Sequence, residues 1–438
     1  MKKAFLITVG IFYMAMVPGC NLPFGTQTPM ANSSITRSEK PRLMAPDVPQ
    51  GDLNQLAQGN TAFALDLYHA ASGDQDNVFF SPYSVSLALA MTYAGSRANT
   101  EQQMAGVMHY DLPQDKLHPG FNWLDQELAG RKNIENGSAG ADGKGFRLNV
   151  VNDIWGQDGY SFLSPFLDTL SGNYGAGLRR LDFQKDPDKA RLIINDYISE
   201  HTEQRIKDLI PSGIIDTLTR LVLTNAIYFN ASWLYQFSPD KTGDGLFTRL
   251  DGTQITVPMM HYQDPASLGY FQGNGFQAVE MPYEGSKLSM VILLPDEGQF
   301  ESFQSSLNAD KLTQVLGQEA SELMYLTMPK FSFSSKFMLS KVLIGMGMND
   351  AFSPADADFS GIDGSRNLYI GEVIHQAFVK VDEAGTEAAA ATAVIMQVAA
   401  MPVQQKNVII DRPFVFLIRD VPTGTILFMG RVLEPVQS

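Results

Sequence analysis

Apolar positions along the chain follow two periods. From Thr61 to Ala71 they recur at helical spacing, with Phe63, Leu67 and Ala70 on one stripe. Asn77 to Ser84 then reads Asn-Val-Phe-Phe-Ser-Pro-Tyr-Ser. Ser81 suits an N-cap there, Pro82 the first helical position and Gly95 the stop. Asp186-Pro187 opens another capped helix through Ile193, Ile194, Tyr197 and Ile198. Leu221 to Phe229 is a continuous apolar run, as a strand buried on both faces should be. Leu288 to Leu294 is a second such run. Phe414–Ile418 and Thr425–Val432 flank the turn Asp420-Val421-Pro422-Thr423-Gly424 and predict a hairpin. Asn225 is the polar exception inside its apolar run. A buried amide is unfavourable unless bonded, so Asn225 needs partners. His375 lies in the strand-like segment Val373 to Phe378, where a lone histidine is ordinarily a satisfied core residue.

The stretch from Lys380 to Pro402, KVDEAGTEAAAATAVIMQVAAMP, fits neither period cleanly. It begins as an alternating strand at Phe378-Val379-Lys380-Val381. It breaks into small residues at Glu383-Ala384-Gly385-Thr386, continues through Ala388, Ala389, Ala390 and Ala391, and turns apolar before Pro402. Alanine favours helix, so an ordinary helical turn over Glu387–Ala393 is one reading. A membrane span needs about 20 apolar residues, and the run from Ala388 to Val403 is shorter, with Thr392 and Gln397 inside it. Val394-Ile395-Met396 is too apolar for a structureless linker. Read as a strand, Thr386, Ala388, Ala390, Thr392, Val394 and Met396 share one face, all small or apolar. Glu387, Ala389, Ala391, Ala393, Ile395 and Gln397 share the other, which is polar at both ends. Gly385 supplies backbone freedom at the start. Such a strand is tolerable outside a sheet and acceptable inside one.

Composition narrows the function class. A chain of 438 residues, 44% hydrophobic, makes one large or two ordinary domains with a substantial core. Net charge is −15 and no basic cluster stands out, so neither nucleic acid nor a heparin-like polyanion is an expected partner. There is no GxSxG, no HExxH and no spaced Cys/His set, so neither catalysis nor a metal or other cofactor is expected. Residues 131–145, RKNIENGSAGADGKG, read as a surface loop, because the glycine spacing around Lys144 is wrong for a phosphate loop. Asp356, Asp358 and Gly361 fit the start of a calcium loop, but the twelfth position is Asn367 and not a bidentate Glu.

Residues 1–19 read as a targeting segment, with Lys2 and Lys3, apolar Ala4 to Met16, and Val17-Pro18-Gly19 before Cys20. The pattern resembles a bacterial lipoprotein signal, in which Cys20 is lipidated and becomes the mature N-terminus. A plain secretory signal with a chance cysteine is the alternative. Cys20 is the only cysteine, so it has no disulfide partner. Residues 20–52 carry Pro, Ser, Thr, Gln and Asn with little periodicity and read as a flexible tether to a head spanning 53–438. Export from a bacterial cell, with lipid anchoring at a membrane or an extracellular location, is the expected placement.

EAGTEAAAATAV, residues 383–394, resembles the reactive-loop hinge of an inhibitory serpin. Val408-Ile409-Ile410-Asp411-Arg412-Pro413-Phe414-Val415-Phe416-Leu417-Ile418, with Phe428-Met429-Gly430-Arg431, resembles the serpin C-terminal signature. The motifs fall along the whole span from 53 to 438. The resemblance implies an α+β serpin fold, with several helices around a large central β-sheet, smaller sheets and an exposed reactive loop at about 383–407. It implies that Ser81 and Ser84 form a polar latch beneath the sheet with Asn225 and His375. It also implies that Trp233 marks the top of the sheet, where insertion begins, and that Lys330 pairs with Glu383 at the loop base.

The implied activity is inhibition of a serine protease as a suicide substrate. The protease forms an acyl-enzyme on the loop, and the freed strand from Thr386 enters the main sheet, a recognised serpin behaviour. Thr386 to Ala399 would reach roughly 46 Å as a strand, at about 3.3 Å per residue. Glu383 to Ala399 is 17 residues, the usual serpin distance from the loop-base glutamate to the residue before the cut, which indicates Ala399–Ala400. A small residue there suits an elastase-like pocket. The loop from Ala400 to Pro413 is longer than in many relatives, so Val398 and Met401 stay open as alternatives. Arg and Lys are absent from Ala384 to Gln405, which disfavours trypsin-like targets, while subtilisin-like and papain-like (cysteine) proteases stay open. The protein would act as a monomer and touch a membrane only through its N-terminal lipid. The alternative is a non-inhibitory carrier or surface protein of the same fold. A bulky or charged hinge would signal that, and Thr386 and the four alanines argue the other way.

Overall fold

The computed structural model describes residues 34–73, 77–131, 147–386 and 405–436. Strands are numbered in chain order. Among the described residues a seven-stranded sheet runs, edge to edge, β1 (Ser34–Thr36), β4 (Leu178–Leu181), β3 (Arg147–Gln157), β5 (Leu221–Ser232), β14 (Gly385–Thr386), β13 (Val373–Val381) and β12 (Phe331–Met338). The second sheet runs β2 (Val78–Phe80), β17 (Ile426–Val432), β16 (Phe414–Asp420), β10 (Leu288–Pro295), β9 (Phe276–Pro282), β8 (Ala266–Gln272), β11 (Ala320–Pro329), β7 (Gln254–His261) and β6 (Gly243–Thr248). Strand β15 (Lys406–Ile409) pairs with β11 in parallel.

The apolar runs become the buried strands. Every residue of β5 and of β10 is buried. In β5 the side chains divide by alternation. Val222 and Ala226 join the apolar cluster under α6 (Pro187–His201), with Ile194 and Ile198, while Leu223 and Ile227 join the main core. The α6 start is capped as expected, Asp186 accepting from the Lys189 amide at 3.0 Å. The hairpin of β16 and β17 closes at Gly424, whose φ of +72° is the left-handed conformation that favours glycine.

Helix α1 (Gln50–Ala71) begins upstream of its apolar stripe. Helix α2 (Pro82–Tyr93) is buried all round, and Ser81 caps it by accepting from the Ser84 amide at 3.1 Å. A side chain at Gly95 would meet Ile362 at 2.1 Å, so that glycine answers packing as well as the helix stop. Helices α3 (Ala98–Met108), α4 (Gln114–Gly130) and α5 (Ser164–Thr169) follow along the chain.

The segment read as tether lies partly on the body. Ser34, Ile35 and Thr36 pair antiparallel with Arg180, Arg179 and Leu178 at the edge of the seven-stranded sheet. Arg42 donates from Nε to Asn122 Oδ1 at 2.8 Å and meets Asp125 at 2.6 Å. The Leu43 amide donates to Gly172 O, and Leu43 O accepts from Asn122 Nδ2, each at 2.8 Å. Polar composition suggested solvent, but these side chains and amides find partners on α4 and on the turn around Gly172. The loop expected at 131–145 falls almost wholly outside the described residues.

Candidate functional site

Three strands of the seven-stranded sheet carry polar residues at one level. Asn152 on β3 lies opposite Asn225 on β5, and Asn225 lies opposite His375 on β13. Beneath them sits the first turn of α2. The Ser81 amide donates to His375 Nε2 at 3.0 Å. That nitrogen therefore carries no proton, and Nδ1–H donates to Asn225 Oδ1. Asn225 Nδ2 in turn donates to Ser84 Oγ at 2.6 Å and to Asn152 Oδ1, and Asn152 Nδ2 returns to Ser84 O at 3.2 Å. Ser81, Ser84, Asn225 and His375 are each 0% exposed. Burial holds the His375 imidazole down to about 3, against the small upward pull of Asn225, so it is neutral.

The four residues expected to share a network do share one. Asn152 completes it, and sequence reasoning missed it. Its signal is weak, since an asparagine within Arg147–Gln157 looks like one of several polar positions on a half-buried strand.

The upper end of the sheet is splayed. Strand β13 pairs directly with β5 from Val373 to Ala377. Above that, β14 stands between them, with Gly385 and Thr386 against Ser232 and Ala231 of β5 and Thr386 against Val381 of β13. Thr386 is thus already inside the sheet and is not waiting outside it. Gly385 is needed there for close approach. A Cβ at that position would sit 2.1 Å from Ala231 O.

Side chains clamp this end from both sides. Trp233 Nε1 donates to Asp382 O at 3.0 Å and its amide donates to Ala384 O at 2.9 Å. Lys330 Nζ meets Glu383 Oε2 at 2.7 Å, and the Thr242 hydroxyl donates to Oε1 at 2.7 Å. Burial pushes the Glu383 carboxyl up, but these bonds together outweigh it and hold it below the usual range. Burial also raises the Asp382 carboxyl, opposed by Lys380. Thr242 had no signal in the sequence, because it acts through Glu383, 141 residues along the chain. Ala388, Ala389, Ala390 and Ala391, the bond Ala399–Ala400, and Cys20 lie outside the described residues.

Fold and site together define an α+β protein whose central sheet is closed in its lower half and occupied by a two-residue strand above. A model of the serpin family, described as serine protease inhibitor, matches residues 58–435. An uncharacterized serpin-like protein of Thermococcus kodakarensis is 38% identical, over 99% of each chain. The leukocyte elastase inhibitors of Sus scrofa and Homo sapiens are 38% and 36% identical over 87% of this chain and all of theirs. The native state of tengpin, a thermophilic serpin, superposes with a TM-score of 0.78 at 26% identity, over 91% of this chain and 99% of its own. The chain belongs to the serpin family. It is therefore grouped with protease inhibitors and not with catalytic enzymes, and its partner class is a protease.

Proposed function

We propose that the protein traps a serine protease covalently, by loop insertion between β5 and β13. The observation that carries this is the half-open sheet, with Gly385 and Thr386 seated between strands that pair directly only below them. In the proposed reaction the protease serine Oγ attacks the Ala399 carbonyl carbon and the C–N bond to Ala400 breaks. The new amine of Ala400 leaves with a proton, and an ester joins Ala399 to the protease. The freed strand then continues inward from Glu387.

Three magnitudes support the reading. Glu387 to Ala399 extends roughly 43 Å at about 3.3 Å per residue. Strand β5, with 12 residues, spans about 40 Å on the same measure, so full entry would carry the ester to the far end of the sheet. Each ladder bond contributes only about 1 kcal/mol net, yet a dozen of them with burial of the small and apolar face from Ala388 to Met396 would make the step irreversible. Loss of oxyanion geometry in the dragged protease slows deacylation, since one oxyanion donor alone is worth roughly 100- to 1000-fold.

The target we propose is elastase-like, taking Ala399 in a small pocket. Relatives named as leukocyte elastase inhibitors agree with this choice. We further propose export through residues 1–19 and lipid attachment at Cys20.

The test mixes residues 34–438 with porcine pancreatic elastase and resolves the products on denaturing gels. A band at the summed mass, with a released peptide starting at Ala400, supports both the trap and the bond. Loop cleavage with no covalent band and no gain in melting temperature overturns the insertion reading.

A further inference from the structure

Thr386 is 2% exposed, and its hydroxyl meets the Tyr283 hydroxyl at 2.8 Å. Tyr283 directly follows β9 of the second sheet, and its amide donates to Leu288 O of β10 at 2.9 Å. Its ring stacks on Trp233 with centroids 4.6 Å apart and planes 13° apart. Trp233 and Tyr283 are also joined by a backbone bridge. Burial keeps the phenol protonated, raising it above its ordinary value. The hydroxyl therefore serves as a neutral partner to Thr386 and to nothing charged.

Register is what such a bond can set. Side chains of a strand alternate between faces, so a slip of one residue exchanges every one of them. With Thr386 turned toward Tyr283, an entering strand places Ala388, Ala390, Thr392, Val394 and Met396 on the same buried side. A one-residue slip would turn Glu387 inward instead. The close approach of Gly385 to Ala231 O excludes any residue with a Cβ from its place, which pins the register a second time.

We propose that Tyr283 is a positioning residue for loop insertion. It holds Thr386 in register before the loop is cut, so that insertion propagates from a seated residue instead of nucleating anew. The proposal rests on the insertion reading above. The expected consequence is kinetic. An acyl-enzyme either hydrolyses or is trapped, and a slower first step of insertion shifts that partition toward hydrolysis.

The experiment compares the wild type with Tyr283→Phe, Thr386→Val and Thr386→Ser. It reads the moles of inhibitor consumed per mole of elastase trapped, and separately the rate of loop cleavage. Tyr283→Phe and Thr386→Val should raise the excess of that number over one about fivefold, the rate equivalent of one lost hydrogen bond, with loop cleavage unchanged. Thr386→Ser, which keeps the hydroxyl, should match the wild type. A purely structural role for Tyr283 would lower the melting temperature and leave the partition alone, and that result overturns the proposal. Thr386→Val carries the test if Tyr283→Phe does not fold. Amide hydrogen exchange of the uncut proteins reads the seating without any protease. Protection at Gly385 and Thr386 that disappears in Tyr283→Phe supports the seating, and its absence in the wild type overturns it. A wild type that forms no covalent complex but shows this protection would instead count against the proposed function.

Discussion

His375 lies directly opposite Asn225 in the parallel pairing of β13 with β5, and its Nδ1 donates to Asn225 Oδ1. This contact joins the two strands that must separate if the loop is to enter. It is also sensitive to acid. His375 is depressed by burial to about 3, so the neutral ring stabilises fully above its unfolded value near 6.5, and that contribution is lost as pH falls toward 3. Melting temperature should therefore drop between pH 6.5 and 4 more steeply in the wild type than in His375→Gln. Replacing His375 by Ala should destabilise at neutral pH by about 2–4 kcal/mol, because the Ser81 amide and Asn225 Oδ1 are left buried without partners. Denaturant unfolding at pH 7.5 measures this.

Glu383 is held below its usual range despite burial, by Lys330 and Thr242. Its contribution is present above the unfolded value near 4.5 and disappears as pH falls through the folded one. Because both side chains keep some solvent contact, Glu383→Gln should lower stability by only about 1 kcal/mol. A double-mutant cycle with Lys330→Met should return a coupling of the same size.

Gly385→Ala tests the close approach at Ala231 O. The added methyl cannot share the space, so β14 should leave the sheet. The expected outcome is loss of amide protection at 385–386 with little change in global unfolding, since only two residues depart.

Glu319 follows helix Ala309–Gln318 and is hydrogen-bonded to Glu280. Arg419 binds Glu280 through two bonds of 2.9 Å. Burial first, and then the Glu280 carboxylate, push Glu319 up to about 9. A carboxyl raised in this way stabilises fully below its unfolded value near 4.5, and the contribution is lost as pH rises toward 9. Between pH 6 and 9 the wild type should lose melting temperature while Glu319→Gln stays flatter. Parallel curves would contradict the raised Glu319 carboxyl.

Arg42 holds the N-terminal segment to α4 through Asn122 and Asp125. Arg42→Ala should open that segment locally by about 1 kcal/mol. Trypsin cleavage after Arg37, which Ser38 follows, should then accelerate roughly fivefold, without loss of the folded head.

The elements were legible where one segment carries its own signal. The apolar run at Leu221 became the fully buried β5, and Ser81-Pro82 became a capped helix because cap, proline and hydroxyl act within three residues. Ser81, Ser84, Asn225 and His375 could be grouped only by resemblance, since Ser81 and His375 lie 294 residues apart in the chain. Asn152 was not legible at all. It becomes distinctive only when register sets it opposite Asn225.

Sequence alone determined the buried strands at Leu221 and Leu288, the C-terminal hairpin, the helices opened at Ser81 and Asp186, the small-residue segment after β13, and the resemblance to serpins. Periodicity, caps and residue size are local properties that any chain neighbour can read. Only the tertiary structure decided that Thr386 is already in the sheet under Tyr283, 103 residues away. It alone decided that Gly385 is required by a carbonyl of β5, and that residues 34–48 lie on the body. Those outcomes depend on which backbone meets which across the sheet. Register and long-range burial settle that when the chain closes, and no local pattern encodes it.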